Sequence, residues 1–181
     1  MSTRYNARIV SDKLMLHLDA ANTKSYIGSG TSWVDISGKG NNGTLTNGPT
    51  FSSDNLGSIV FDGSNDHVIL NSSFQVSTSV TYSFEAWIYK TATTTNNAAM
   101  LISGGFGGDQ DGMIVASEEF STAGNLRITV NNGTCTAVYY NGVSQPLRGD
   151  SQGTDASYNL NEWMHIAVSY THLTLPTSDL V

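Results

Sequence analysis

Glu85, Trp87 and Tyr89 fall at every second position of the apolar run 80–90. In an extended strand such residues share one face, while Tyr82, Phe84, Ala86 and Ile88 share the other. The second set reads as core. The first set holds a carboxylate, an indole and a phenol. A carboxylate accepts hydroxyl hydrogen bonds, and aromatic faces cover the apolar faces of sugar rings. Glu85, Trp87 and Tyr89 are therefore the candidate ligand-binding residues. The bland alternative is a Trp87 packed beneath a loop and a Glu85 that is merely solvated.

Metal chemistry has two candidate loops. Ca²⁺ takes six to eight oxygens from flexible loops. Gly107-Gly108-Asp109-Gln110-Asp111 offers Asp109 and Asp111 in a glycine-rich connection. Asp62-Gly63-Ser64-Asn65-Asp66 offers Asp62 and Asp66, but Asx side chains also cap turns. The Asp109/Asp111 loop is preferred, and neither loop has EF-hand spacing. His17, His67, His165 and His172 are scattered, so no zinc spacing appears. Cys135 is the sole cysteine and sits mid-strand, which reads as an inert thiol and excludes an intrachain disulfide. Arg148-Gly149-Asp150 and the sequons at Asn42, Asn71 and Asn132 lie in turn-prone sequence and carry no independent signal.

These residues need strands to hold them. The chain has 181 residues, enough for one domain with a core. Only 13% of residues are charged and 18 are glycine, a balance that favours many turns and few helices. The net charge of −7 argues against nucleic-acid and anionic-membrane partners. No apolar run approaches the roughly 18–20 residues of a membrane span. The opening Met1-Ser2-Thr3-Arg4-Tyr5-Asn6 has no apolar h-region, so no Sec signal is expected.

Residues 1–11 read as a lead-in and 14–18 as a first strand. Residues 22–57 read as a long loop pinned by Trp33, Ile36 and Leu45. Residues 58–61 and 67–70 read as a hairpin, and 80–90 as the longest strand. Further strands are expected at 98–103, 112–116, 125–130, 134–140 and 163–168, with a polar loop at 141–160. Asn-Gly pairs at 42, 47, 132 and 141 favour type I′ turns. The expected fold class is all-β, an antiparallel β-sandwich, in one domain without a linker.

Three phrases carry a family resemblance. They are Ser58-Ile59-Val60-Phe61-Asp62-Gly63-Ser64-Asn65-Asp66-His67-Val68, Tyr82-Ser83-Phe84-Glu85-Ala86-Trp87-Ile88-Tyr89 and Asn161-Glu162-Trp163-Met164-His165-Ile166-Ala167-Val168. In this order they resemble the laminin G-like (LamG) jelly roll of the concanavalin A-like lectin/glucanase superfamily, over roughly residues 12–168. Leu16-His17-Leu18-Asp19-Ala20-Ala21-Asn22 and the stretch from Trp33 to Thr44 look like versions in tailed-phage virion proteins, with bacterial adhesin relatives sharing them. The resemblance implies a non-catalytic carbohydrate-binding or adhesion module of a virion or extracellular surface, with other virion or surface-protein domains as neighbours. It implies Ca²⁺ at a rim. It leaves two alternatives: a purely structural decoration domain, and a glycoside hydrolase of the same fold. Retaining hydrolysis needs two carboxyls roughly 5 Å apart. The family's catalytic version sets Glu, Asp and Glu at alternating positions of one strand. Here that strand offers Glu85 alone, and adjacent Glu118 and Glu119 would face opposite ways, so no enzyme is expected.

The stretch Val168-Ser169-Tyr170-Thr171-His172-Leu173-Thr174-Leu175-Pro176-Thr177 resembles one translated frame of a transposase adapter used in sequencing libraries. Residues 169–181 are accordingly read as an adapter-derived tail. The jelly roll is expected to be incomplete at its C-terminus, because family members carry further strands after the Trp-x-His phrase.

Overall fold

The computed structural model describes residues 10–71, 82–92, 99–103, 113–117, 125–130, 134–140, 143–144, 153–157 and 160–171. Two compact units make up the chain, Met1–Phe74 and Gln75–Val181. Every strand pairing among the described residues is antiparallel. No α-helix occurs among them, and one short 3₁₀ turn spans Asp54–Leu56. The fold class is therefore the all-β, antiparallel one expected from the sequence.

The N-terminal unit contains β1 (Ser32–Trp33), β2 (Gly43–Thr46), β3 (Thr50–Ser52), β4 (Ser58–Val60) and β5 (His67–Leu70). β1, β2 and β5 form one sheet, and β3 pairs with β4. The hairpin expected between 58–61 and 67–70 does not form. β4 instead pairs with β3, Phe51 opposite Ile59, and β5 pairs with β2, Leu45 opposite Val68. The sharp reversal between β3 and β4 explains the change. Asn55 and Leu56 take φ of 52° and 78°, and Gly57 takes 136°. A Cβ at Gly57 would stand 2.7 Å from the Ala20 carbonyl oxygen, so only glycine fits.

Residues 22–57 are likewise no structureless loop, since β1, β2, β3 and the 3₁₀ turn lie within them. Of the three expected pins, Leu45 is buried, while Trp33 and Ile36 are half-buried. The sequence signal was weak because polar side chains supply the order. Asp35 is buried. Its Oδ1 accepts the N–H of His17 (2.9 Å) and of Ser37 (2.9 Å). Its Oδ2 accepts the Ser37 hydroxyl (2.8 Å) and the Asn41 N–H (3.0 Å). Burial works to raise this carboxyl's pKa, but those four donors hold it below the ordinary carboxylate value.

The same network displaces the expected first strand. Residues 14–18 form no ladder. The His17 carbonyl accepts Ile36 N–H at 3.0 Å, and the Met15 carbonyl accepts Asn41 Nδ2 at 2.7 Å. Nearby, Tyr26 is buried and packs edge-on to Trp33, with centroids 6.4 Å apart, and against Phe51 at 5.5 Å.

The C-terminal unit holds β6 (Tyr82–Tyr89), β7 (Ala99–Ser103), β8 (Met113–Ser117), β9 (Asn125–Val130), β10 (Thr134–Tyr140), β11 (Val143–Ser144), β12 (Gly153–Ser157) and β13 (Trp163–Thr171). They form two four-stranded sheets, ordered β11-β10-β13-β6 and β12-β9-β8-β7. β10 also approaches β9 and β12 of the other sheet. Met164, Ile166 and Val168 of β13 are buried and form a core.

Three expectations change here. β13 has nine residues and exceeds the eight of β6. It runs on to Thr171, three residues past the expected strand end at Val168. The polar stretch 141–160 contains β11 and β12. Both are sheet-edge strands, which need no apolar alternation. Tyr140 pairs with Val143 across β10 and β11. Two of the expected Asn-Gly turns, Asn132-Gly133 and Asn141-Gly142, lie outside the described residues.

Candidate functional site

β6 alternates half-buried and exposed along its whole length. Tyr82, Phe84, Ala86 and Ile88 lie on the sheltered side, and Ser83, Glu85, Trp87 and Tyr89 on the open one. Trp87 is 66% exposed and Tyr89 45%. These two and Glu85 thus stand together on one open face, as the alternation predicts.

β13 completes that face. Trp163 pairs with Tyr89, His165 with Trp87, and Ala167 with Glu85. Directly paired residues of an antiparallel ladder project to the same side. Rings meet across both aromatic pairs. Trp87 and His165 have centroids 4.9 Å apart at 37°, and Tyr89 and Trp163 lie 5.4 Å apart at 55°. His165 Nε2 stands 3.6 Å from Glu85 Oε2, a diagonal approach across the strand pair. The result is a patch of four rings, two per strand, bordered by one carboxylate. Alternate residues on a strand lie about 7 Å apart and neighbouring strands about 5 Å, so the patch is comparable to one or two sugar rings.

Sequence reasoning missed Trp163 and His165 as site residues. The signal was present in the alternation of Met164, Ile166 and Val168, which sends Trp163, His165 and Ala167 to the opposite face. What the sequence could not supply is the register that seats Trp163 beside Tyr89. The Trp163 Nε1 group is buried and finds no acceptor among the described residues.

The metal candidates have a different outcome. Asp109 and Asp111 lie outside the described residues. Asp62 and Asp66 close their own turn. Asp62 Oδ1 accepts the N–H of Ser64 (2.8 Å) and of Asn65 (3.3 Å), and Asp66 Oδ2 accepts the N–H of Asp62 (3.0 Å). These amides, Ser64 foremost, hold Asp62 below the usual carboxylate range. Asp66 Oδ1 is buried with no donor among the described residues. The Asp62 and Asp66 carboxylates thus cap the turn they lie in, the Asx chemistry such a loop offers. Nor do three His, Cys, Asp or Glu side chains converge anywhere among the described residues. Glu118, Glu119, Arg148 to Asp150 and His172 lie outside them.

A family model for the concanavalin A-like lectin/glucanases superfamily, of the laminin G type, matches residues 62–176. The chain belongs to this superfamily. The superfamily match takes in β5 through β13, and so the whole β6–β13 face. It begins at Asp62, later than the resemblance near residue 12, and reaches 176, beyond β13 into the adapter-like letters. No curated protein and no solved structure matches the chain. No helix among the described residues is long and apolar enough to cross a membrane.

Proposed function

We propose that the open face of β6 and β13 is a non-catalytic saccharide-binding platform, with Trp87 at its centre. One observation carries this reading: Trp87 is two-thirds exposed yet held in place by the His165 ring. Large aromatics left open to water on a rigid sheet fit ligands with an apolar face and a polar rim. Trp87 and Tyr89 would cover ring C–H groups, and Glu85 would accept hydroxyl hydrogen bonds. Superfamily membership agrees with saccharide recognition without naming a ligand.

Hydrolysis is not part of this reading. A retaining enzyme needs a second carboxyl roughly 5 Å from the first. On the paired positions of β6 and β13, Glu85 is the only acid. We further propose that the module works on a virion or another extracellular surface, next to other domains. The support is the sequence resemblance at residues 16–22 and 33–44. Ca²⁺ enters this proposal only through Asp109 and Asp111.

The test is a glycan array probed with the wild-type chain, Trp87→Ala and Glu85→Ala, each with and without chelator. Binding lost in Trp87→Ala is expected. Wild-type binding that survives both substitutions would move the site elsewhere. Absence of any binding would favour a structural decoration domain. A chelator effect would bring in the Asp109/Asp111 loop.

A further inference from the structure

The sheet that carries the platform has an unusual charge inventory. Strands β6, β10, β11 and β13 contain no lysine and no arginine, and their one acid is Glu85. Its side chain is 70% exposed, so its charge faces solvent beside Trp87. The one nearby base of β6 and β13 is His165, 3.6 Å from that carboxylate and stacked on Trp87. Lys90 follows β6 at the position that alternates to the sheltered side. The whole chain adds a net charge of −7.

Recognition of carboxylated or sulfated sugars relies on arginine or lysine, whose N–H groups match the anion. The platform offers neither. An acidic group brought over Trp87 would meet Glu85 and the field of an acidic chain. A ring amine in the same place would meet an opposite charge at Glu85 and the indole face of Trp87, which attracts cations.

We infer that the platform selects saccharides by charge: the ring seated on Trp87 carries no acid group, and an amine on that ring strengthens binding. This rests on the proposed saccharide-binding role and adds the substrate class to it. Glu85 is the specificity-determining residue. His165 packs Trp87 and stands against Glu85, so it positions both.

The experiment measures calorimetric affinities of the full chain for β-1,4-linked oligomers of glucosamine, glucose and glucuronic acid, with the matching galacto series, at neutral pH and low salt. The expected order is amine above neutral above acid. The step from neutral to amine should reach about fivefold as the ring amine becomes fully protonated, the size of one unit-charge contact at about 4 Å in water. Added salt should shrink it. Glu85→Gln should collapse the spread between amine and acid oligomers, with an unchanged melting curve showing that the sheet is intact. Binding abolished by Trp87→Ala but indifferent to ligand charge would overturn the selectivity and leave the platform standing. An amine preference that persists in Glu85→Gln would also overturn it. If no oligomer of either series binds, both the selectivity and the platform fall.

Discussion

Asp35 and Glu85 are both carboxylates in β-rich surroundings, yet their regions use them in opposite ways. Around Asp35, both oxygens are filled by donors from His17, Ser37 and Asn41. The carboxylate there replaces a missing strand ladder and organises residues 14–41. Around Glu85, the ladder between β6 and β13 already satisfies the backbone over eight residue pairs. The side chains on its open face are left available, and they are aromatic, exposed and ordered by ring packing. Where polar side chains complete the backbone, they make structure. Where the backbone completes itself, they can meet a ligand.

The largest break in this comparison should come from the sheet core. Ile166 is fully buried on β13, directly behind the platform. Ile166→Ala should cost about 3 kcal/mol, the usual range for truncating a buried aliphatic residue, and appear as a large drop in Tm. A shift of only a degree or two would mean that β13 is not the core strand.

Asp35→Asn should follow, costing about 2 kcal/mol, because an amide offers donors where Asn41 and Ser37 also donate. The pH dependence has a definite sign. Asp35 is depressed in the folded state, so its contribution is complete above the unfolded value near 3.9 and is lost as pH falls through the lower folded value. Acid titration of stability should show that loss in the wild type. In Asp35→Asn the slope in that range should be shallower, and an unchanged slope would remove Asp35 as its source.

Trp87→Ala sharpens the contrast from the other side. The ring is mostly exposed, so stability should change by less than about 1 kcal/mol. Saccharide affinity should fall at least tenfold, the scale of losing an aromatic anchor. A variant that melts far lower would instead make Trp87 a packing residue.

Asp62→Ala should have the smallest effect. Its acceptor role in the turn is exposed, so water can replace it at the Ser64 and Asn65 amides. The Tm should stay close to wild type with or without added Ca²⁺. A Ca²⁺-dependent rise in wild type that Asp62→Ala abolishes would show that the turn holds the ion after all.

Much of the platform could be read from the chain. Strict alternation in Tyr82–Tyr89 assigned Glu85, Trp87 and Tyr89 to one face, because a strand has a period of two whatever it pairs with. The strands at 99–103, 113–117, 125–130 and 134–140 were legible for the same reason: apolar runs bounded by glycine and asparagine. The N-terminal unit was not. Its order depends on Asp35 reaching His17, eighteen positions earlier, and no local pattern marks such a bond. β12, Gly-Thr-Asp-Ala-Ser, has no apolar period because it lies at a sheet edge.

By itself, then, the sequence determined the all-β class and the strand faces. Those follow from residue type and a two-residue period, which need no partner. Tertiary structure decided which strands met. It separated residues 58–61 from 67–70, paired Trp163 with Tyr89 and His165 with Trp87, and brought the His165 ring to Glu85. Register between strands distant in sequence is set by packing of the whole sheet, and a one-residue slip would have sent Trp163 and His165 to the core instead.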